Sequence, residues 1–340
     1  MIDLLVAGGG PAGLATAIRA ARAGLDVVVA EPRPGPVDKA CGEGLMPAGV
    51  RELAALGVTV EGQPFRGIRY VDGRVEAEAH FRGAQGLGVR RTALHHALAR
   101  RAAELGVTVV PLRVDARTLR HGRDRVTAGG ITARYLAAAD GLHSPIRRSL
   151  GLDLPPAGRA ARYGLRRHFA VAPWTDCVEV HWSAGSEAYV TPIGPELVGV
   201  AILTADRAPY EQQLARFPDL AARLPASAVT STRGAGPLRQ RVRSPVAGRT
   251  LLVGDAAGYI DALTGEGIST ALAAAAHLVR CVQADRPQDY DRAWRRASRR
   301  QRALTAALLW TRGHPALAPR IVPVAARFPA LFAAAVNQLA

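Results

Sequence analysis

Six residues near the amino terminus restrict this chain more than any other part of it. Ile2, Leu4, Leu5 and Val6 form a short apolar run that reads as a buried strand, and it leads directly into Gly8-Gly9-Gly10-Pro11-Ala12-Gly13. Leu14 to Ala23 then has the pattern of a helix. In this strand–glycine–helix arrangement Gly8 permits the tight turn, Gly10 lets backbone approach a pyrophosphate, and Gly13 allows helix and strand to pack closely. The free N–H groups at the start of the helix, including those after Pro11 and Ala12, face an anion with the helix dipole behind them. A second strand, Leu25 to Ala30, ends at Glu31, at the spacing expected of a carboxylate that binds a ribose. Together these features predict a nucleotide-cofactor site.

The remaining composition narrows the class. The 340 residues are 49% hydrophobic and 21% charged, which is the balance expected of a soluble globular protein with an ample core. Cys41, Cys177 and Cys281 are too widely spaced for a disulfide framework or a metal site, so no metal is expected and a reducing cytoplasm is. The phosphate loop starts so early that no removable signal peptide is expected before it, and no apolar stretch has transmembrane length. A formal charge of +16 raises the question of nucleic acid. The positive residues are scattered arginines with Lys39 as the one lysine, aromatic residues are sparse and no nucleic-acid motif is present, so no nucleic-acid partner is expected. The same positive field favours anionic small molecules or an anionic membrane surface.

Further along, Leu45 to Leu56 and Arg91 to Leu105 read as helices, and the runs from Val58 to Phe81 as short antiparallel strands. Val107 to Val110, Arg125 to Thr132 and Tyr135 to Ala139 read as strands. So do Arg162 to Phe169, Val178 to Trp182, Ala188 to Thr191 and Leu197 to Leu203, followed by a helix from about Tyr210. Leu251 to Val253 returns to parallel-strand character ahead of Ala-rich helix. The expected fold is α/β, with a cofactor domain assembled from residues 1–65, 84–155 and 236–280. An antiparallel-sheet substrate domain from 66–83 and 156–235 is interleaved with it, and 281–340 form a helical C-terminal region.

Two further segments join the first in fixed order: Ala139-Asp140-Gly141-Leu142-His143-Ser144-Pro145-Ile146-Arg147, and Gly254-Asp255-Ala256-Ala257-Gly258 followed by Thr264-Gly265-Glu266-Gly267-Ile268. With all three, the chain resembles the FAD-dependent oxidoreductases of the para-hydroxybenzoate hydroxylase and geranylgeranyl reductase superfamily over roughly residues 1–280. The resemblance implies a Rossmann-like FAD-binding domain in which Gly8, Gly10, Pro11, Ala12 and Gly13 seat the pyrophosphate. Glu31 would bind the adenosine ribose, with Arg33 beside it. Arg91 would reach the cofactor, Asp140 and Gly141 would contact the pyrophosphate region, and Gly254 and Asp255 would meet the ribityl chain. The helix opening at Gly265, Glu266, Gly267 and Ile268 would direct N–H groups at the isoalloxazine, where they stabilise negative charge on the reduced ring. A single dinucleotide fingerprint agrees with a group in which NAD(P)H visits the flavin transiently as reductant.

The reaction is harder to read. Lys39-Ala40-Cys41-Gly42-Glu43-Gly44-Leu45 resembles the Lys-x-Cys-Gly-Gly-Gly-Leu loop of geranylgeranyl reductases, which implies that Cys41 and Glu43 lie near flavin and substrate. A catalytic Cys41 needs a depressed pKa, and Lys39 could supply it. Tyr189-Val190-Thr191-Pro192-Ile193-Gly194, however, keeps only the tyrosine and proline of the Tyr-x-Trp-x-Phe-Pro stretch of archaeal prenyl reductases. On balance the residues favour a monooxygenase in which a flavin C4a-hydroperoxide formed from O₂ hydroxylates a small hydrophobic, aromatic or polyketide-like substrate. Tyr189 would be catalytic, and Glu43, Thr191 and Pro192 would line the substrate side. The alternatives are a geranylgeranyl-type ene-reductase that saturates prenyl double bonds and a non-catalytic flavin-binding redox sensor. The apolar stretch Leu304 to Ala340 reads as helices covering the substrate domain, or as a lip making peripheral contact with the inner membrane face.

Overall fold

The computed structural model describes residues 1–73, 75–155 and 161–338. Its first layer is a sheet whose parallel core runs Thr250–Leu252, Ile131–Ala138, Ile2–Ala7, Val27–Ala30 and Thr108–Val110 in spatial order. The first strand is central. Leu4, Leu5 and Val6 are completely buried, and this two-sided burial is why the strand reads as an unbroken apolar run and not as an alternation. Helix Pro11–Arg22 starts within the glycine motif itself, with Pro11 in the first turn, where its missing N–H costs nothing. A Cβ on Gly13 would fall 1.9 Å from the Gly8 carbonyl oxygen, so only glycine allows this helix to lie so near the strand end.

The second layer is a seven-stranded sheet, ordered Arg233–Ala235, Tyr163–Phe169, Leu197–Thr204, Ser186–Gly194, Cys177–Ser183, Gly67–Val71 and Glu76–His80. Its pairings are antiparallel apart from the parallel pair Gly67–Val71 with Cys177–Ser183. The chain enters this sheet, returns to the first, and enters it again, which is the interleaving that the α/β reading implied. The expected boundary at 155/156 adjoins residues 156–160, which lie outside the described ones.

Helix Gly267–Gln283 packs on helix Pro11–Arg22. Helix Asp289–Arg312 is anchored to the first sheet by buried Tyr290, whose hydroxyl donates to the Leu252 carbonyl at 3.0 Å, and by Trp294. Helices Ile321–Arg327 and Pro329–Val336 instead cover the second sheet, through Ala325, Phe332 and Val336.

Two elements differ from expectation for local reasons. The run Arg125 to Thr132 is not one strand, because Gly129 and Gly130 both take positive φ (59° and 78°) and turn Val126–Ala128 back onto Ile131–Ala138 as a hairpin. The helix expected from Leu45 starts at Pro47, because Gly44–Leu45 pairs with Leu87 and Gly88 in a small third sheet.

Candidate active site

Between the two layers lies a cavity of 1480 Å³. Single small-molecule sites occupy about 300–1,000 Å³, so this volume accommodates a large cofactor and a substrate together. One end is bounded by Gly10, Pro11, Ala12, Asp140 and Gly141. The middle is bounded by Cys41, Glu43, Arg91, Gly254, Asp255, Gly265, Gly267 and Ile268, and the far end by Tyr70, Val178, Tyr189 and Thr191. Three segments separated by more than a hundred residues therefore meet in one space.

Several groups on this wall lack what a ligand would provide. Arg91 Nε and Asp140 Oδ1 are buried with no hydrogen-bond partner among the described residues. Both residues border the cavity, and such groups are costly unless something satisfies them. A Cβ on Gly10 would meet nothing within 4 Å, so its backbone stands open to the space. Gly254, at φ 65°, brings its turn so close to the helix start that a Cβ would lie 2.7 Å from Ala12 Cβ. Burial pushes the Asp255 carboxyl up, against the opposing pull of Arg91, Lys39 and Arg147. A glycine cradle, an unpaired arginine and a buried carboxylate suit a diphosphate and a polyol chain, the two central parts of FAD.

Comparison with known proteins agrees with this geometry. The family model described as "FAD binding domain" matches residues 1–284. The chain belongs to that family. Among its relatives, the menaquinone reductase of Mycobacterium tuberculosis (strain H37Rv) is 32% identical over 308 residues, covering 79% of this chain and 74% of the relative. Digeranylgeranylglycerophospholipid reductase 1 of Methanothermobacter thermautotrophicus is 27% identical over 300 residues, covering 78% and 73%. Among solved structures, the Diels-Alderase PyrE3 of pyrroindomycin biosynthesis superposes with a TM-score of 0.78 at 22% identity, covering 100% of this chain and 79% of that one, a likeness of fold. The protein is an FAD-dependent oxidoreductase.

Within this flavoenzyme the expected site residues fall into two groups. Those named above border the cavity. Gly8, Gly13, Glu31, Arg33, Glu266 and Pro192 do not. Gly8 and Gly13 shape the turn from behind. Glu31 accepts from the Gly9 N–H (2.8 Å), the Arg33 N–H (3.0 Å), and Arg33 Nε and Nη2 (2.8 Å each). Those donors fill its four lone-pair positions, so a ribose hydroxyl would have to displace the Arg33 side chain, which is 41% exposed. Burial alone would raise the Glu31 carboxyl, but the Arg33 and Gly9 hydrogen bonds outweigh it and hold the pKa at about 2.

Pro192 was expected beside Thr191 on the substrate side, and strand alternation forbids both. Tyr189 and Thr191 face the cavity, whereas Val190 packs in the core on the opposite face, where Pro192 also points. Tyr189 donates its hydroxyl to the Leu263 carbonyl at 2.9 Å, and burial raises its pKa well above the usual phenol value. Thr191 donates to the Gly42 carbonyl at 2.8 Å. The Glu266 side chain stands outside the cavity wall. Burial raises its carboxyl to about 7, against a hydrogen bond from Thr264, and Oε2 has no partner among the described residues.

The expectation of a depressed Cys41 pKa is overturned. Burial is the largest influence and pushes the thiol up, with Arg91 pulling the other way, and Lys39 is not among its main neighbours. Cys41 Sγ accepts the Glu43 N–H at 3.4 Å.

Four residues with no role assigned from sequence, His168, Arg166, Arg147 and His95, hold the site together, the first two through Glu43. Glu43 is 3% exposed and takes a left-handed backbone, φ 59°. Its Oε1 accepts the Arg91 N–H at 2.8 Å, and its Oε2 lies 2.6 Å from Nε2 of the wholly buried His168. His168 Nδ1 contacts Thr230 Oγ1 (3.0 Å) and Arg166 Nη1 (3.2 Å), and Arg166 pairs with Asp38. The loop 38–44 is thus tied to the second sheet at both ends. Arg147, 1% exposed, donates to the carbonyls of Leu142, Asp255 and Ala256 and to Gln240, and pairs with Asp153. It joins the Asp140 segment to the Asp255 segment. His95 Nε2 lies 3.0 Å from the Gly9 carbonyl oxygen and braces the glycine loop.

Proposed function

We propose that this flavoenzyme is a reductase that adds two hydrogens across an isolated double bond in the prenyl chain of an isoprenoid lipid. The observation that carries the reading is the far half of the cavity. Beyond the cofactor-facing loops its wall is built from Ile68, Tyr70, Val178, Val180, Ala325 and Phe332, an apolar bore that suits a hydrocarbon chain better than a phenol in need of orienting polar groups. Two relatives matched over more than three quarters of this chain are named menaquinone reductase and digeranylgeranylglycerophospholipid reductase, and the Lys39–Leu45 loop resembles that of geranylgeranyl reductases.

Bound FAD supplies the hydride chemistry, with NAD(P)H as its transient reductant. The chain's own residues would do the rest. Gly10, Ala12, Asp140, Gly141, Asp255 and Arg91 would hold the cofactor. The N-terminus of helix Gly267–Gln283 would offer N–H donors to negative charge. Burial keeps the Cys41 thiol protonated, so Sγ retains a hydrogen that it can donate toward the cavity. Tyr70 and Phe332, with ring centroids 4.7 Å apart, would keep water from the chain.

Anaerobic incubation of the holoenzyme with NADPH and prenylated lipids in detergent tests this. A product heavier by two hydrogens, formed equally without oxygen, is expected. Turnover that requires O₂ and adds one oxygen atom refutes the proposal and restores the monooxygenase reading.

A further inference from the structure

We propose that the C-terminal helices form a docking lip that seats the cavity mouth on an anionic lipid bilayer, so that substrate enters from the leaflet. The entering substrate class rests on the lipid reading above; the docking itself rests on the surface.

Among the described residues, Trp310, Val324, Phe328 and Leu331 are large hydrophobic side chains that are 49%, 45%, 53% and 66% exposed, all within one C-terminal stretch. Val324, Phe328 and Leu331 also border the cavity, so they form the rim of its opening. Isolated exposed apolar residues need no explanation, but a cluster of them around an opening does. Segments Ala318–Arg327 and Pro329–Val336 meet at 105°, with Phe328 at the corner. Among the described residues no single helix is long and apolar enough to cross a membrane, and each arm of this pair is far too short to do so alone. Ala325, Phe332 and Val336 hold the inner side of the bend against the second sheet, which leaves the corner pointing outward as a wedge.

The charges around this wedge select the occupant. From Arg292 to the carboxyl end the chain has nine arginines and no aspartate or glutamate. Arg312 is engaged by Glu187 and Arg302 lies over the Trp294 ring, but Arg320 and Arg327 are exposed beside the corner, and Arg327 lies 5.7 Å over Phe328. Exposed apolar side chains flanked by Arg320 and Arg327 match the boundary between acyl chains and anionic headgroups. A protein partner would have to bring an acidic rim around an apolar socket, and a second copy of this cationic surface would repel the first.

Co-sedimentation of the FAD-loaded protein with phosphatidylglycerol and with phosphatidylcholine vesicles decides the matter. Binding to phosphatidylglycerol that weakens in high salt is expected, with little binding to phosphatidylcholine. Arg320→Gln and Arg327→Gln should each reduce binding to the anionic vesicles about fivefold. The double variant Phe328→Asp, Leu331→Asp should abolish binding while FAD content and melting temperature stay unchanged. Absence of wild-type binding at low salt overturns the proposal, as does undiminished binding by the double variant. A concentration-dependent dimer that the double variant dissolves, without vesicle binding, assigns the face to a second copy instead. The readout is partition and not turnover, so its failure is separable from failure of the reductase reading, which is tested in detergent.

Discussion

Glu43 stores opposing energies that substitution can separate. Its carboxylate and His168 form a pair buried at 0% side-chain exposure on both partners. Removing one member of such a pair costs about 3–5 kcal/mol. Its backbone, at φ 59°, carries a strain of roughly 1 kcal/mol that a glycine would not feel. Glu43→Ala loses the pair and keeps the strain, so it should destabilise by about 4 kcal/mol. Glu43→Gly loses the same pair but releases the strain, so it should cost about 1 kcal/mol less than alanine. Glu43→Gln keeps an acceptor for the Arg91 N–H and turns an amide N–H toward His168 Nε2, which then has to accept, an expected cost of about 1–2 kcal/mol. Urea unfolding of the three holoproteins, followed by flavin release and by circular dichroism, gives this order directly. In thermal terms the alanine variant should melt roughly 5 °C lower, given about 2.1 cal/mol/K of unfolding entropy per residue. If glycine proves as damaging as alanine, the left-handed backbone holds no strain; if glutamine proves equal to alanine, the negative charge and not the hydrogen bonding holds the pair, and the small cost assigned to glutamine is wrong.

Two further substitutions probe other parts of the site. Because the Glu266 carboxyl titrates near 7 in the folded protein and near 4.5 as its ordinary value, the native state binds the extra proton between those pH values. Stability is therefore lost as pH rises from 4.5 to 7, and the loss is complete above 7. Glu266→Gln should be more stable than wild type in urea unfolding at pH 8 and equal to it at pH 4; an unchanged pH profile would disprove the assignment. Arg147→Met should leave the Leu142, Asp255 and Ala256 carbonyls and the Asp153 carboxylate without their donor. The expected result is about 3–5 kcal/mol of lost stability and release of FAD on gel filtration, against retention of FAD if the arginine only fills space.

What could be read from the chain follows the range of the interactions involved. The parallel sheet and its glycine turn were legible because burial on both faces writes a continuous apolar run, and because Gly8 and Gly13 answer local steric demands. Gly129-Gly130 carried an equally local signal, but the apolar residues on either side obscured it. Arg166 and His168 were hidden for the opposite reason. They occupy the inward positions of an alternating strand, where charge ordinarily signals solvent, and their partners Asp38 and Glu43 lie 128 and 125 residues away. Cys41 shows the same limit: neighbouring Lys39 is visible in sequence, whereas the burial that dominates its titration arises from packing of distant segments. Pro192 was different, since strand alternation alone could have separated it from Thr191.

The tether between loop 38–44 and the second sheet has a consequence for how such enzymes can be recombined. Asp38 reaches Arg166 and Arg233, Glu43 reaches His168, and Gly42 receives Thr191, so this loop takes its position from strands beyond residue 162. A chimera that imports a foreign seven-stranded sheet but retains residues 38–44 would strand the Asp38 and Glu43 carboxylates and the Gly42 carbonyl without their four partners. The heritable unit of specificity is then a discontinuous one, in which a short early loop and a late sheet have to be exchanged together.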